Sequence, residues 1–308
     1  MKAEPLVTIL INNYNYGDFV ADAIESALNQ TYPNIEVIVV DDGSTDNSKE
    51  VIMSYGNKII PILQENGGQA SAFNSGFAAS QGEIICLLDS DDLFVPEKVK
   101  EVVDQFQADP SIGWIYHPQK LVDSDKNEIP ESKLDDQPDS SKTYDFRPYI
   151  KRGKLNNYLP SIGLQATSAF CFQRSLLNKI LPMPESIRIV SDNYVKYLAL
   201  GLNKGFVISK FLSIQRIHDK NAFTQKSDNK KKLTTARIDI LTAYWIRKNF
   251  PELYNFANNI FAGGLQQYWK LGGIEPQYQE TIDEYFTTVK FKEKMLISLK
   301  FVYYYVTW

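Results

Sequence analysis

The sequence predicts an α/β protein, a mostly parallel sheet with helices on both faces, followed by a helical C-terminal extension. Three observations predict it. Apolar runs at residues 6–11, 35–40, 59–63 and 84–88 alternate with helix-patterned stretches, and strands separated by helices in this way pair in parallel through right-handed crossovers. The runs are continuous rather than alternating, as in strands buried on both faces. Each ends in a polar loop, so the loops at 12–15, 41–42, 67–69 and 89–92 gather at one sheet edge, the edge where open α/β sheets bind ligands.

Taken in order, the first strand closes on Asn12-Asn13-Tyr14-Asn15-Tyr16-Gly17. Asp18 is expected to cap a helix with the apolar stripe Phe19, Val20, Ala23, Ile24, Ala27 and Leu28. Pro33-Asn34 introduces the second strand, after which Ser44 or Thr45 is expected to cap a helix bearing Val51, Ile52 and Tyr55. The third strand turns at Asn66-Gly67-Gly68 into a small-residue helix reaching Ala79. After the fourth strand, an amphipathic helix is expected over 97–106 and a strand over 112–116. Residues 123–156 lose apolar periodicity. They read as a hairpin or long loop, either a cover closing over a substrate or a plain surface insertion. A strand over 166–172, a short helix from Arg174, a helix opened by Ser191, and short strands at 206–208 and 212–217 follow. From Lys230 onward the pattern is helical. Its last stretch, 291–308, is basic and then aromatic; packing against the domain or a partner is the first reading, a peripheral membrane contact the second.

The chain has 308 residues and a formal net charge of −4 with two His. Such a length buries a large core, as one domain or two fused parts, and such a balance argues against a nucleic-acid binder driven by phosphate contacts. Cys86 and Cys171 both sit in apolar runs. They read as reduced core residues, which suits a cytoplasmic protein. No secretory leader is expected at Met1, and no apolar run approaches the ~20 residues of a membrane-spanning helix.

The run Leu87-Leu88-Asp89-Ser90-Asp91-Asp92 drives a buried strand into three carboxylates. Like charges this close repel, and a bound cation keeps them all ionised. Oxygen ligands favour Mg²⁺ or Mn²⁺, which carboxylate sites commonly share with a substrate's phosphates. A solvated acidic turn capping the next helix reads the same residues equally well. A phospho-accepting receiver domain would carry its paired carboxylates after the first strand, and here they follow the second. A dinucleotide dehydrogenase needs G-x-G-x-x-G after the first strand, which residues 12–17 lack.

Val39-Val40-Asp41-Asp42-Gly43-Ser44-Thr45-Asp46, then Asn66-Gly67-Gly68, then Leu88-Asp89-Ser90-Asp91-Asp92, in this order, resemble the family 2 glycosyltransferases of GT-A fold. The resemblance is strongest over the first third of the chain and continues more weakly to Asn221. It implies an inverting transferase with a nucleotide-diphospho-sugar donor, UDP-sugars favoured, a Mn²⁺ or Mg²⁺ cofactor, and a glycan, lipid-linked or protein hydroxyl acceptor. By this resemblance Asn12 and Tyr14 match the loop that touches the base, and Asp42 the carboxylate that accepts a hydrogen bond from uracil. Gly67 and Gly68 match the turn beside the base. Gln69 compensates for the cation lost where the family's Arg gives way to Phe73. Asp89 opens the D-x-D pattern, Asp91 matches the ribose-side carboxylate, and Asp92 the principal metal ligand.

Asp192 matches the catalytic base, although Ser191 stands where the family carries an acidic residue. A first-turn Asp also serves simply to stabilise a helix dipole. His218 matches a His that completes metal coordination or binds phosphate, and Arg216 either meets the diphosphate or is a sheet-edge arginine. The implied division is a GT-A domain over 1–221, with its nucleotide-sugar part at 1–117 and its acceptor side at 118–221, and a helical region over 222–308. The competing expectation is a non-catalytic nucleotide-sugar binder or scaffold on the same fold.

Overall fold

The computed structural model describes residues 4–129, 140–154, 167–219, 221 and 229–307. Strands β1 (Val7–Asn13), β2 (Ile35–Asp42), β3 (Ile60–Gln64) and β4 (Ile84–Asp89) pair in parallel in the order β3-β2-β1-β4. Helices α1 (Val20–Leu28), α2 (Ser48–Met53) and α3 (Gln69–Ala79) connect them. The strands run past their apolar stretches, because neighbours in the sheet supply ladder partners for the polar residues too. Register sets Asn12 beside both Val40 and Asp89, and Asn13 beside Asp41.

Side chains alternate between the two faces of the sheet. Ile9, Ile11, Val37, Val39, Cys86 and Leu88 enter one core with α1 and α4 (Lys98–Ala108). Leu10, Ile38, Val40, Ile85 and Leu87 enter the other, with α3, α6 (Arg174–Ile180) and α7 (Asp192–Leu202). Both faces are therefore covered, as the continuous apolar runs require. Cys86 and Cys171 are free, buried and directly opposite one another in register.

Beyond β4 the parallel pattern breaks. β9 (Phe170–Gln173) lies antiparallel between β4 and β6 (Trp114–Tyr116). β10 (Gly205–Val207) pairs parallel with β6, and β8 (Lys142–Tyr144) closes that edge antiparallel. A second sheet has the order β5 (Leu93–Phe94), β11 (Ser213–Arg216), β7 (Gln119–Val122). β5, β7 and β8 are absent from the sequence reading. At two to four residues they carry no period of their own, and pairing partners decide them. Part of the expected loop over 123–156 is ordered as β8 and α5 (Arg147–Lys151); residues 130–139 and 155–156 lie outside the described residues.

The expected caps shift. α1 opens after Phe19 without a side-chain cap, and α2 opens at Ser48, whose N–H donates to Asp46 Oδ1 at 3.0 Å. The strand expected over 166–172 is a 3-10 turn, Thr167–Ala169, followed by β9. Helices α8 (Asn229–Asn249), α9 (Tyr254–Lys270), α10 (Pro276–Thr288) and α11 (Phe291–Thr307) form the C-terminal region. Ile238, Ile246, Phe256 and Ala257 extend the core beneath α7, and Ala243, Phe261, Tyr268, Tyr285 and Ile297 form a cluster among the helices themselves. Among the described residues no helix is long and apolar enough to cross a membrane.

Candidate active site

The polar ends of β1 to β4 line one crevice. Asp41 binds its neighbours: Asn13 Nδ2 donates to Oδ2 at 2.8 Å and Ser44 N to Oδ1 at 2.9 Å. Asn12 keeps a buried Oδ1 that has no partner among the described residues. Tyr14 stands 47% exposed beside it in sequence.

Asp42 is committed to the turn after β3. Its Oδ1 accepts from Gln64 Nε2 (2.7 Å) and Gly67 N (2.9 Å), and its Oδ2 from Gly68 N (2.8 Å) and Asn66 Nδ2 (3.2 Å). A carboxylate has about four acceptor sites, and these bonds fill them. Asp42 therefore shapes the Gly67–Gly68 turn, rather than presenting a bare carboxylate as the uracil contact expected of it requires. Gly68 has φ 91°, and a Cβ there would come within 2.6 Å of the Arg188 carbonyl oxygen.

That turn is joined to the segment before α7. Gln69 N donates to Arg188 O at 2.7 Å, and Gln69 Oε1 accepts from Ser191 N at 2.7 Å. Arg188 Nη2 donates to Asn66 Oδ1 at 2.6 Å. Gln69, expected at the nucleotide, thus holds the residue immediately before Asp192.

The acidic loop after β4 divides by role. Asp92 is buried; Oδ1 accepts from Arg216 N at 3.2 Å and Oδ2 from Gln119 Nε2 at 3.3 Å. Burial and the charge of Asp91 push its carboxyl up to about 7. Asp89 is held well above the usual carboxylate range by burial first, then by Asp92, Asp91 and Asp192. Asp91 Oδ2 lies 3.2 Å from His218 Nε2 and accepts from Asn221 Nδ2 at 2.9 Å. His218 is clamped by rings, stacked on Phe19 at 4.3 Å and edge-on to Tyr16 at 5.7 Å.

Of the expected ligands, Asp91 and His218 are brought together, whereas Asp92 is tied into the sheet behind them. Among the described residues no three His, Cys, Asp or Glu side chains group closely enough to hold an ion by themselves. Arg216 is committed within the protein: it is buried, pairs with Asp22 at 2.8 Å and lies over the Phe19 ring.

Asp192 sits in the first turn of α7, buried. Lys196 Nζ lies 2.6 Å from Oδ2, and Thr167 Oγ1 donates to the same oxygen at 3.0 Å. Thr167 is followed by Ser168, whose Oγ accepts from Asp89 N at 2.9 Å, so the two carboxylates belong to one crevice.

Sequence reasoning missed Lys196, Lys98 and Ser168. Lys98 is fully buried; its Nζ donates to Ser168 O at 2.6 Å, and burial lowers its basicity. Ser168 Oγ accepts from Asp89 N at 2.9 Å, so the buried lysine braces the acidic loop from behind. The Asp192/Lys196 spacing of four on a helix is a signal that was available. Lys98 has none, since a lysine in an amphipathic pattern reads as solvated.

Comparison with known proteins bears on the fold and the family. An uncharacterized glycosyltransferase of Nostoc sp. is 36% identical over 228 residues, which is 70% of this chain and 66% of the relative's own length, just under two thirds. The fold resembles Staphylococcus aureus TarS residues 1–349 in complex with UDP-GlcNAc, with TM-score 0.64 and 18% identity over 97% of this chain and 89% of that one. It also resembles the mannosyltransferase PcManGT of Pyrobaculum calidifontis in complex with GDP-Man and Mn²⁺, with TM-score 0.52 and 16% identity over 97% and 85% of the two chains. The family described as Glycosyl transferase family 2 matches residues 8–181. With that span matched, and a GT-A sheet carrying its acidic loops at one edge, the chain belongs to glycosyltransferase family 2.

Proposed function

We propose that this chain moves a sugar from a nucleotide-diphosphate donor to a hydroxyl acceptor with inversion, UDP-sugars being the favoured donors. The observation that carries the reading is that adjacent residues hold both acidic groups at one sheet edge: Thr167 donates to Asp192, and Ser168 accepts from the N–H of Asp89, two residues before the Asp91–His218 pair. The nucleotide-sugar complexes of TarS and PcManGT support the donor class, and the Mn²⁺ of the latter supports a cation.

The residues present fit Mg²⁺ or Mn²⁺ shared with a diphosphate. Asp91 Oδ2 and His218 Nε2, an oxygen and a nitrogen donor, lie side by side at 3.2 Å and would hold such an ion together. Asp89 and Asp92, whose carboxyls burial raises first and the neighbouring carboxylates raise further, crowd acidic groups at the same place. Asp91 and His218 would hold the ion, and Asp92 would fix the backbone they extend from. A divalent cation here supplies charge neutralisation for the departing nucleoside diphosphate.

The chain's own residues do the rest. Asp192 Oδ1 takes the proton of the acceptor hydroxyl as it attacks, while Lys196 and Thr167 hold Oδ2 and fix the carboxylate's orientation. Asn12 Oδ1 accepts from the nucleoside, Tyr14 offers a ring face to the base, and the Gly67–Gly68 turn lets the backbone come close beside it. The acceptor is a glycan, lipid-linked or protein hydroxyl, in polysaccharide or glycoconjugate synthesis. The free buried thiols of Cys86 and Cys171 suit a reducing, cytoplasmic setting.

The test is release of nucleoside diphosphate from UDP-, GDP- and dTDP-sugars with and without Mn²⁺. Release is expected to need the cation and to stop on chelation. Asp192→Asn is expected to keep the donor-induced thermal shift while losing roughly 10²–10⁴-fold in turnover. Asp91→Ala is expected to lose the Mn²⁺ dependence of donor binding. Donor binding without release, unchanged in Asp192→Asn, would mark a non-catalytic binder and overturn the assignment.

A further inference from the structure

Helix α11 presents apolar side chains on the side away from the protein. Ile297 is buried, and Phe301 and Tyr304 pack on the C-terminal cluster. On the opposite side Met295, Leu299, Val302 and Val306 recur at spacings of four, three and four, and are 54, 64, 56 and 76% exposed. Phe291 extends this stripe by a turn, and the exposed Trp269 of α9 stands edge-on to Phe301. Scattered exposed apolar residues are ordinary, but a continuous stripe at helical period marks a contact surface.

The charges around it name the occupant. Lys290, Lys292 and Lys294 are all exposed at the start of the helix. Lys290 and Lys292, with Lys248 and Arg247, also line a groove of about 1150 Å³ beside it. The acids there are engaged: Glu293 is paired with Arg247 at 2.8 Å, and Glu284 accepts from Tyr244 Oη at 2.5 Å. Glu293 is the one acid of α11, so a second copy docking through this helix brings no negative charge to meet the lysines. A lipid surface with acidic headgroups offers both complements, phosphates for the ammonium groups and acyl chains for the stripe.

We propose that α11 lies in the interface of an anionic bilayer, parallel to the surface, its apolar stripe among the upper acyl chains and Lys290, Lys292 and Lys294 at the headgroups. The inference stands apart from the transferase reading, since it uses none of the crevice residues. It does not require a span, and among the described residues no helix is long and apolar enough to cross a membrane.

The full chain is sedimented with vesicles of phosphatidylcholine alone and with vesicles in which about a third of the lipid is phosphatidylglycerol. Binding is expected to the anionic vesicles and to weaken with salt. Lys290→Glu/Lys292→Glu/Lys294→Glu is expected to reduce it roughly tenfold or more. Leu299→Asp/Val302→Asp, at exposed positions with circular dichroism unchanged, is expected to abolish it. Failure of the parent chain to sediment with anionic vesicles, or sedimentation of either variant unchanged from the parent chain, overturns the proposal. So does a dimer, seen by light scattering without vesicle binding, that the Leu299→Asp/Val302→Asp variant dissolves: the face then belongs to a second copy.

Discussion

A lysine four residues after an aspartate on a helix is ordinarily a weak surface pair. Lys196 and Asp192 differ, because their side chains are only 6 and 9% exposed. Removing one member strands a buried charge, so Lys196→Met is expected to destabilise the fold by about 3–5 kcal/mol, read by urea denaturation, with Lys196→Arg restoring part of it. Asp239 on α8 gives a pH signature away from the crevice. Asp239 is half-buried, and desolvation pushes its carboxyl up to about 7, above its unfolded value. The native state then holds the proton longer than the unfolded chain does. Its contribution to stability is full below about pH 4 and is lost as pH rises through about 7. Denaturation midpoints are expected to fall over that window and to fall less in Asp239→Asn. Asp89, Asp91 and Asp192 were legible as candidate residues from short motifs. Their supports were not, because Lys98, Lys196 and Ser168 become special only through burial, which the fold creates.

The turn at Gly67–Gly68 shows how one local geometry organises several elements. Asp42 draws two backbone N–H groups into it, and Gly68 adopts a positive φ while lying against the Arg188 backbone. Gly68→Ala meets both a backbone penalty and a collision, and is expected to cost about 1–3 kcal/mol. Thermal unfolding measures that loss, and titration with UDP is expected to show weaker binding. Elements β1 to β4 were readable because each is a long apolar run closed by polar residues. β5, β7 and β8 were not, since runs this short take their conformation from the strands beside them. β9 was expected as a strand, but its antiparallel insertion beside β4 is a matter of pairing, which periodicity does not encode.

Across the whole molecule, stability is expected to be graded. β1 is bonded on both sides, to β2 and β4, and its residues are almost wholly buried. α11 has one packed side. Amide hydrogen exchange is expected to be slowest in β1 and faster throughout α11 in the absence of lipid. The architecture of the first four strands was legible, together with the edge at which their loops meet. How the later segments fold back over that edge was not, because bonds such as Gln69 to Ser191 span 122 residues. Those bonds matter to anyone re-engineering the chain. Exchanging everything after Ile112 for a relative's counterpart is the obvious chimera for testing the proposed acceptor side. The cut would divide Asn66 from Arg188 and Gln69 from Ser191. A working graft must match both banks of that seam, or the transplanted helix will arrive without its mooring.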